Sequence, residues 1–411
     1  MRTETMKYKV AAAVIAVILF AVVLKAIGDS DLITIEDTVS RAQHTTQYSF
    51  TPPSVADSSV NYSIPEQTAS EGSPYKYYYF RLNETEKKAY DNILGKIYDM
   101  PEKVRIPSLD QDELNNTFEA LLYDNPDLFF VSPKCTQISI GSLAYLSLEY
   151  RMSKTGYKAA QTKINNACDK LISSLTAPRD EWRTELEIHN ALVDMLEYKF
   201  TEEPDDFSTV YGALINQEAS CEGYSKAVKY IFDRLGIESY VVAGRATDSD
   251  GSSESHMWNI VKINGVYCQL DVTWDDPVKS QYRTYAYFNL TDEQINYDHS
   301  SWHFDYDCTS ASQSYYVVSG LYYTSYSEAD NEMLAQAVAR QVDGGAETFE
   351  VRFSSATAYS TARRVLIDEQ NIYEVLYKAK KYGSVRNYSH TSLTYADSES
   401  TYIMTFFLNF E

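Results

Sequence analysis

The spacing of apolar positions changes several times along the chain, and each change marks an element. Residues 84–98 set Tyr90, Ile93, Leu94 and Ile97 three or four apart, the period of one helical face. Ser108 and Gln111 stand three apart ahead of Leu114, Phe118, Leu121 and Leu122, which predicts a helix begun by a capping box at Ser108. Asn125-Pro126 should stop it. Tyr77-Tyr78-Tyr79-Phe80, the run Leu128–Val131 and the alternating stretch 136–151 read as strands. Helical spacing returns over 157–175 and 181–199, with His189 inside the second beside Ile188 and Leu192, where an imidazole usually serves packing.

The two ends differ in pattern from this middle. Arg2, Lys7 and Lys9 precede an unbroken apolar run from Val10 to Leu24, a basic head on an apolar segment that predicts export. Ala26 and Gly28 offer a cleavage site, while snorkelling of Lys25 would let the run span a bilayer, so residues 1–28 read as a signal peptide or a membrane anchor. Residues 29–73 are rich in Ser, Thr, Pro, Asp and Gln without an apolar period, and read as a flexible linker. Folded segments are then expected over 74–155, 156–325 and 326–411. The last should hold a helix through Met333, Leu334, Ala337 and Val338, a strand from Thr348 to Phe353, helices near 356–367 and 371–382, and two closing strands. That order echoes 76–151 and suggests a degenerate repeat.

The pattern is densest between Tyr211 and Pro277. Tyr224, Val228, Ile231, Phe232 and Leu235 recur at helical spacing, Ser220 can serve as N-cap and Gly236 as C′ glycine, so Cys221 opens a helix. There the helix dipole favours a thiolate, with Glu222 acting weakly against it. Downstream, 256–263 and 266–273 flank Asn264-Gly265, a strong hairpin signal. A type I′ turn would set Trp258 opposite Asp271 and His256 opposite Thr273. His256 and Asp271 then share a face as diagonal neighbours, roughly 7–8 Å apart at Cα and within side-chain reach. Cysteine, histidine and aspartate in that order can supply a nucleophile, a base and an orienting acid. Cys268 falls on the opposite face by parity.

Tyr211-Gly212-Ala213-Leu214, Cys221-Glu222-Gly223-Tyr224, His256-Met257-Trp258-Asn259 and Asp271-Val272-Thr273-Trp274 together resemble the transglutaminase-like superfamily, a permuted papain-like thiol fold. The resemblance implies an α+β core with a cysteine helix on an antiparallel sheet. It assigns the nucleophile to Cys221, the base to His256 and the acid to Asp271, as the residues themselves do. It extends loosely to Asp298-His299, read as closing the domain beyond an aromatic strand over 285–290. The Ser220-Cys221-Glu222 context departs from the Gln-Cys-Trp of animal-type transglutaminases, which puts cross-linking in doubt and leaves amide hydrolysis open. The Cys221 N–H is a candidate oxyanion donor with Tyr211 or Gln217 in support, and Trp258 and Trp274 could wall the approach to a thioester.

Composition narrows the field. With 58 acidic against 36 basic side chains the net charge is −22, which argues against phosphate-backbone binding to nucleic acid. Five cysteines without a C-x-x-C pair offer no metal-ligand spacing, and no cofactor or metal is implied. The odd count leaves at least one thiol unpaired within the chain, taken as Cys221. The 36 tyrosines fit half-buried strand positions, with a carbohydrate-binding surface as the alternative reading. The expectation is an exported thiol enzyme acting on peptide or glutamine amides of a protein or peptide substrate, with the cell wall as one place to meet it. Its rival is a non-catalytic surface module that keeps the fold to bind a partner.

Overall fold

The computed structural model describes residues 32–34, 73–140, 143–200, 206–248, 250–276, 282–383 and 387–410. The apolar run Val10–Leu24 and most of the segment 29–73 expected as a linker lie outside them. The part described, Leu32–Thr34, is a strand and not free chain, because it pairs with Thr136–Ile138. Among the described residues no helix is long and apolar enough to cross a membrane. The chain divides into two compact units. One holds Met1–Ser174, Lys199–Met257 and Ser300–His303; the other holds Leu175–Tyr198, Trp258–His299 and Phe304–Glu411.

The first unit carries an antiparallel sheet ordered Leu32–Thr34, Val131–Ile140, Leu143–Tyr150, Lys103–Pro107. Helices Glu84–Ile97 and Gln111–Asp124 pack with each other, and the first of them lies against Lys103–Pro107. On that strand Val104 and Ile106 are buried while Lys103 and Arg105 face water. Three local expectations are corrected here. Leu128–Val131 is not a strand, because Pro126–Leu128 forms a 3₁₀ turn and the strand begins only at Val131. The capping box is Asp110 with Glu113, two residues beyond the expected Ser108. Gln137 holds Leu109 from both sides, accepting from its N–H at 3.2 Å and donating to its carbonyl at 2.7 Å, so the helix cannot start before Asp110. Tyr77-Tyr78-Tyr79-Phe80 is helical, within Tyr77–Arg81, and not a strand. The buried Asp124 carboxylate accepts from the N–H groups of Tyr78 (3.1 Å) and Tyr79 (2.8 Å), satisfying the open amides of a first turn.

The cysteine helix, Cys221–Leu235, belongs to this unit and packs on the strand Ser239–Thr247. It ends as expected on Gly236 in the left-handed conformation, φ 72°. Lys229, buried near its end, donates to Ser73 Oγ (2.9 Å), the Tyr75 carbonyl (3.0 Å), Asp233 (3.2 Å) and the Ser239 carbonyl (3.1 Å). Tyr75 adds a 2.7 Å bond from its hydroxyl to the Gly236 carbonyl. Ser73 and Tyr75, at the start of the described segment 73–140, are thus strapped to the C-terminal half of the cysteine helix.

In the second unit, strand Val266–Leu270 pairs antiparallel with Asn259–Ile263 in the expected register, Asn259 opposite Leu270 and Ile263 opposite Val266. Asn264 and Gly265 have φ of 50° and 80°, as a type I′ turn requires. The expected strand over 285–290 does not form. Only Leu290 bridges Gln269, because the amides of Tyr285 and Tyr287 are taken by the carboxylates of Glu350 (3.1 Å) and Asp275 (2.9 Å). The C-terminal segment builds a sheet ordered Tyr322–Tyr323, Thr348–Phe353, Ile403–Phe410, Tyr388–Ser398. Helices Asn331–Asp343 and Asn371–Tyr382 pack together beside it.

The suspected repeat is visible in this topology. In 84–150 and again in 331–410 a helix leads to a first strand, helical turns follow, and a hairpin returns. In both, the last strand lies antiparallel between the first and the second.

Candidate active site

Local sequence sets the thiol. Ser220 occupies the N-cap with extended backbone (φ −85°, ψ 175°), but its hydroxyl makes no capping bond, so the first-turn amides are not closed off by that side chain. Cys221 follows as the first helical residue, and of the five free cysteines it alone is not buried. Burial pushes the other thiols up, Cys168 to about 12 and Cys135 well above the ordinary range. Cys268, on the expected opposite parity, is buried and also raised by desolvation. Beside Cys221, Glu222 pairs with Lys226 one turn on, at 2.6 Å.

The chain crosses itself closely here. A Cβ on Gly223 would stand 2.1 Å from the Phe207 carbonyl oxygen, and one on Gly212 would stand 2.2 Å from that of Asp206. The Phe207 carbonyl also accepts the Ser220 N–H at 3.0 Å. Both glycines therefore serve to seat the 206–207 backbone against the start of the cysteine helix. Tyr211 stacks on Phe129 (centroids 6.1 Å, planes 20° apart), and Gln217 is exposed in the left-handed conformation, φ 60°.

His256 lies buried in the strand Ser253–Ile263. Asp271 lies buried just beyond the end of Val266–Leu270. Its Oδ1 accepts from the N–H groups of Thr273 (3.0 Å) and Trp274 (3.2 Å), which folds Asp271-Val272-Thr273-Trp274 into an Asx turn. Its Oδ2 meets His299 Nε2 at 3.0 Å, and His299 Nδ1 meets Asp298 at 2.6 Å. Tyr287 closes the ring: its carbonyl accepts the Asp271 N–H (3.1 Å) and its hydroxyl donates to Asp298 (2.6 Å). Both ring nitrogens of His299 are thus held by carboxyl groups, Nδ1 by Asp298 and Nε2 by Asp271.

Sequence reasoning missed the bond from His299 to Asp271. The two are 28 residues apart with no periodicity between them, and only the adjacency of Asp298 and His299 hinted at a pair. Trp258 and Trp274, expected as walls of the approach, pack edge-on to the His299 ring, with centroids at 4.9 and 4.7 Å. Trp258 is fully buried and donates from its indole nitrogen to Gln269 at 2.7 Å. Both tryptophans fix the orientation of His299.

His189 has a structural partner, in line with its expected role. Its Nε2 meets Asp275 at 3.1 Å, with both side chains sealed from water. Burial drives the imidazole down to about 4 and the Asp275 carboxyl upward, so both favour their neutral forms.

A partly exposed cysteine at a helix start and a buried imidazole–carboxylate chain are thus the candidate features of the described residues. No family model matches the chain, and no curated protein matches it. It is similar over part of its length to solved structures. One is described as a TGase, 15% identical over 44% of this chain and 53% of that one, TM-score 0.26. Another is a candidate cysteine protease from Cytophaga hutchinsonii, 9% identical over 34% of this chain and 56% of that one, TM-score 0.23. The chain thus spans about half the length of the structures it matches.

Proposed function

We propose that this chain is a thiol enzyme acting on peptide or glutamine amides through Cys221, His256 and Asp271. The observation that carries this reading is the exposure of Cys221 alone among five free cysteines, at a helix start that the Ser220 hydroxyl leaves uncapped. Its sulfur attacks the amide carbonyl, forming a C–S bond as the C–N bond breaks. His256 takes the thiol proton and passes it to the leaving amine. Asp271 orients the imidazole and stabilises its charged form, and the Cys221 N–H faces the developing oxyanion. Water or an amine then resolves the thioester.

Hydrolysis is the favoured outcome. An amine must outcompete water in a partly closed apolar approach. Trp258, one of the two tryptophans that could have built such walls, is committed to the core, and the Ser-Cys-Glu context also departs from cross-linking enzymes. The full chain, incubated with a glutamine-containing protein and a labelled primary amine, should cleave or deamidate that protein without taking up label. Cys221→Ala should abolish the reaction. Label uptake that disappears in Cys221→Ala would reverse the preference for hydrolysis, and a Cys221 no more reactive toward iodoacetamide than a free peptide thiol would favour a binding module instead.

The basic head and apolar run at residues 2–24 motivate the further proposal that the folded part works outside the cytoplasm, held at the surface or released. Protease added to intact cells should remove it. Its protection, alongside an equally protected cytoplasmic marker, would refute export.

A further inference from the structure

The C-terminal segment carries no chemistry-bearing motif, yet one strand of it is built against the segment that holds Asp271. In the repeat topology, Lys103–Pro107 and Thr348–Phe353 occupy the same place, each the first strand and each paired with the last. In the N-terminal copy, the face away from the buried Val104 and Ile106 shows Lys103 and Arg105 to water. In the C-terminal copy, Phe349, Val351 and Phe353 fill the inner face, and the other face places Glu350 and Arg352 in the interior. A buried charge persists only where partners replace its hydration.

Those partners lie mostly outside the C-terminal sheet. Glu350 accepts from Thr284 Oγ1 (2.8 Å), the Tyr285 N–H (3.1 Å) and the Tyr316 hydroxyl (2.7 Å), with Thr405 Oγ1 at 3.2 Å from its own sheet. Arg352 donates to the Ala286 carbonyl at 2.9 Å. Three consecutive residues, 284–286, are thus pinned by one strand. The next residue is Tyr287, which takes the Asp271 N–H on its carbonyl, gives its own N–H to Asp275 and bonds Asp298 through its hydroxyl.

We infer that Glu350 and Arg352 are positioning residues for Asp271, fixing its carboxylate through the backbone of 284–287. The inference rests on Asp271 being the orienting acid of the proposed triad. It gives the C-terminal copy of the repeat a function that the N-terminal copy, with its solvent-facing Lys103 and Arg105, does not share.

Two readouts on the full chain test it. Amide hydrogen exchange at Tyr285 and Tyr287 should quicken about tenfold or more in Glu350→Gln and Thr284→Val, the change expected when hydrogen bonds that hold this backbone are weakened or lost. The rate of Cys221 alkylation by iodoacetamide, followed across pH 5–9, should change in the same direction as in Asp271→Asn, by about tenfold, less than the roughly 100-fold that a 1 Å misplacement can cost. Thr405→Val removes a bond to the same carboxylate from within the C-terminal sheet and serves as control. It should lower stability comparably while leaving alkylation and the exchange at 285 and 287 as in the parent. If Glu350→Gln and Thr405→Val shift alkylation alike, the clamp is ordinary stability and the inference fails. If Asp271→Asn moves the alkylation profile while Glu350→Gln and Thr284→Val do not, the inference fails and the triad stands. If none of the three moves it, the triad reading of Asp271 fails and the inference with it, even where exchange at 285 and 287 has quickened.

Discussion

Asp271→Asn should lower amide turnover by about 10⁴-fold, the cost of the corresponding change in a serine-protease triad. The fold should survive it. The substituted amide keeps an oxygen for the N–H groups of Thr273 and Trp274 and turns its NH₂ toward His299 Nε2, where the wild-type carboxylate oxygen stands. His299 can accept there while giving its remaining N–H to Asp298. The swap replaces one hydrogen bond by another, so the cost in stability should stay near about 1 kcal/mol. Turnover and a thermal melt on the same preparation check both halves. A fully active Asp271→Asn with an unchanged melt would remove Asp271 from the mechanism, and an inactive but unfolded one would show that the His299 network cannot reorganise.

Lys229→Met should cost about 3–5 kcal/mol, the usual penalty for removing one partner of a buried ion pair. The methionine is close in volume, so the loss is electrostatic and not a cavity. It leaves Asp233 buried with its main cation gone, and strips Ser73, Tyr75 and Ser239 of a shared donor. Burial already pushes the Asp233 carboxyl up to about 7, with Lys229 as the chief opposing influence. The sign of the pH dependence follows. Without Lys229 the carboxyl is raised further, so the contribution of its neutral form persists to higher pH before it is lost. The deficit of Lys229→Met should therefore be smaller near pH 5 than near pH 8. Urea unfolding at the two pH values measures this. Adding Asp233→Leu should recover most of the loss, since an apolar pair can replace a buried ionic one; a double variant as unstable as the single would show that the strap through Ser73 and Tyr75, not the charge, is what Lys229 supplies.

These two predictions draw on different kinds of information. The cysteine helix was legible from sequence to its last residue, because its start, apolar face and closing Gly236 all lie within 17 consecutive positions, Ser220 to Gly236. The hairpin was legible for the same reason: a two-residue Asn-Gly turn sets register by itself, and the observed pairing of Asn259 with Leu270 follows from it. The candidate roles of Cys221, His256 and Asp271 came from that local order together with the resemblance it carries.

What only the tertiary structure decided depends on side chains reaching across long stretches of chain. Tyr77–Phe80 has the composition of a strand and became helix because a carboxylate 45 residues away caps it. Residues 285–290 have the composition of a strand and were denied a ladder because Glu350 and Asp275 took their amides. Ser108 lost the capping box to Asp110 because Gln137 took both the N–H and the carbonyl of Leu109. His299 found Asp271 across 28 residues, between two tryptophan rings that a single sequence does not place there. Propensity, periodicity and turn chemistry act between near neighbours and are written in the chain. The partner of a buried polar group is chosen by which segments the packed core brings together, and that choice has no local signature.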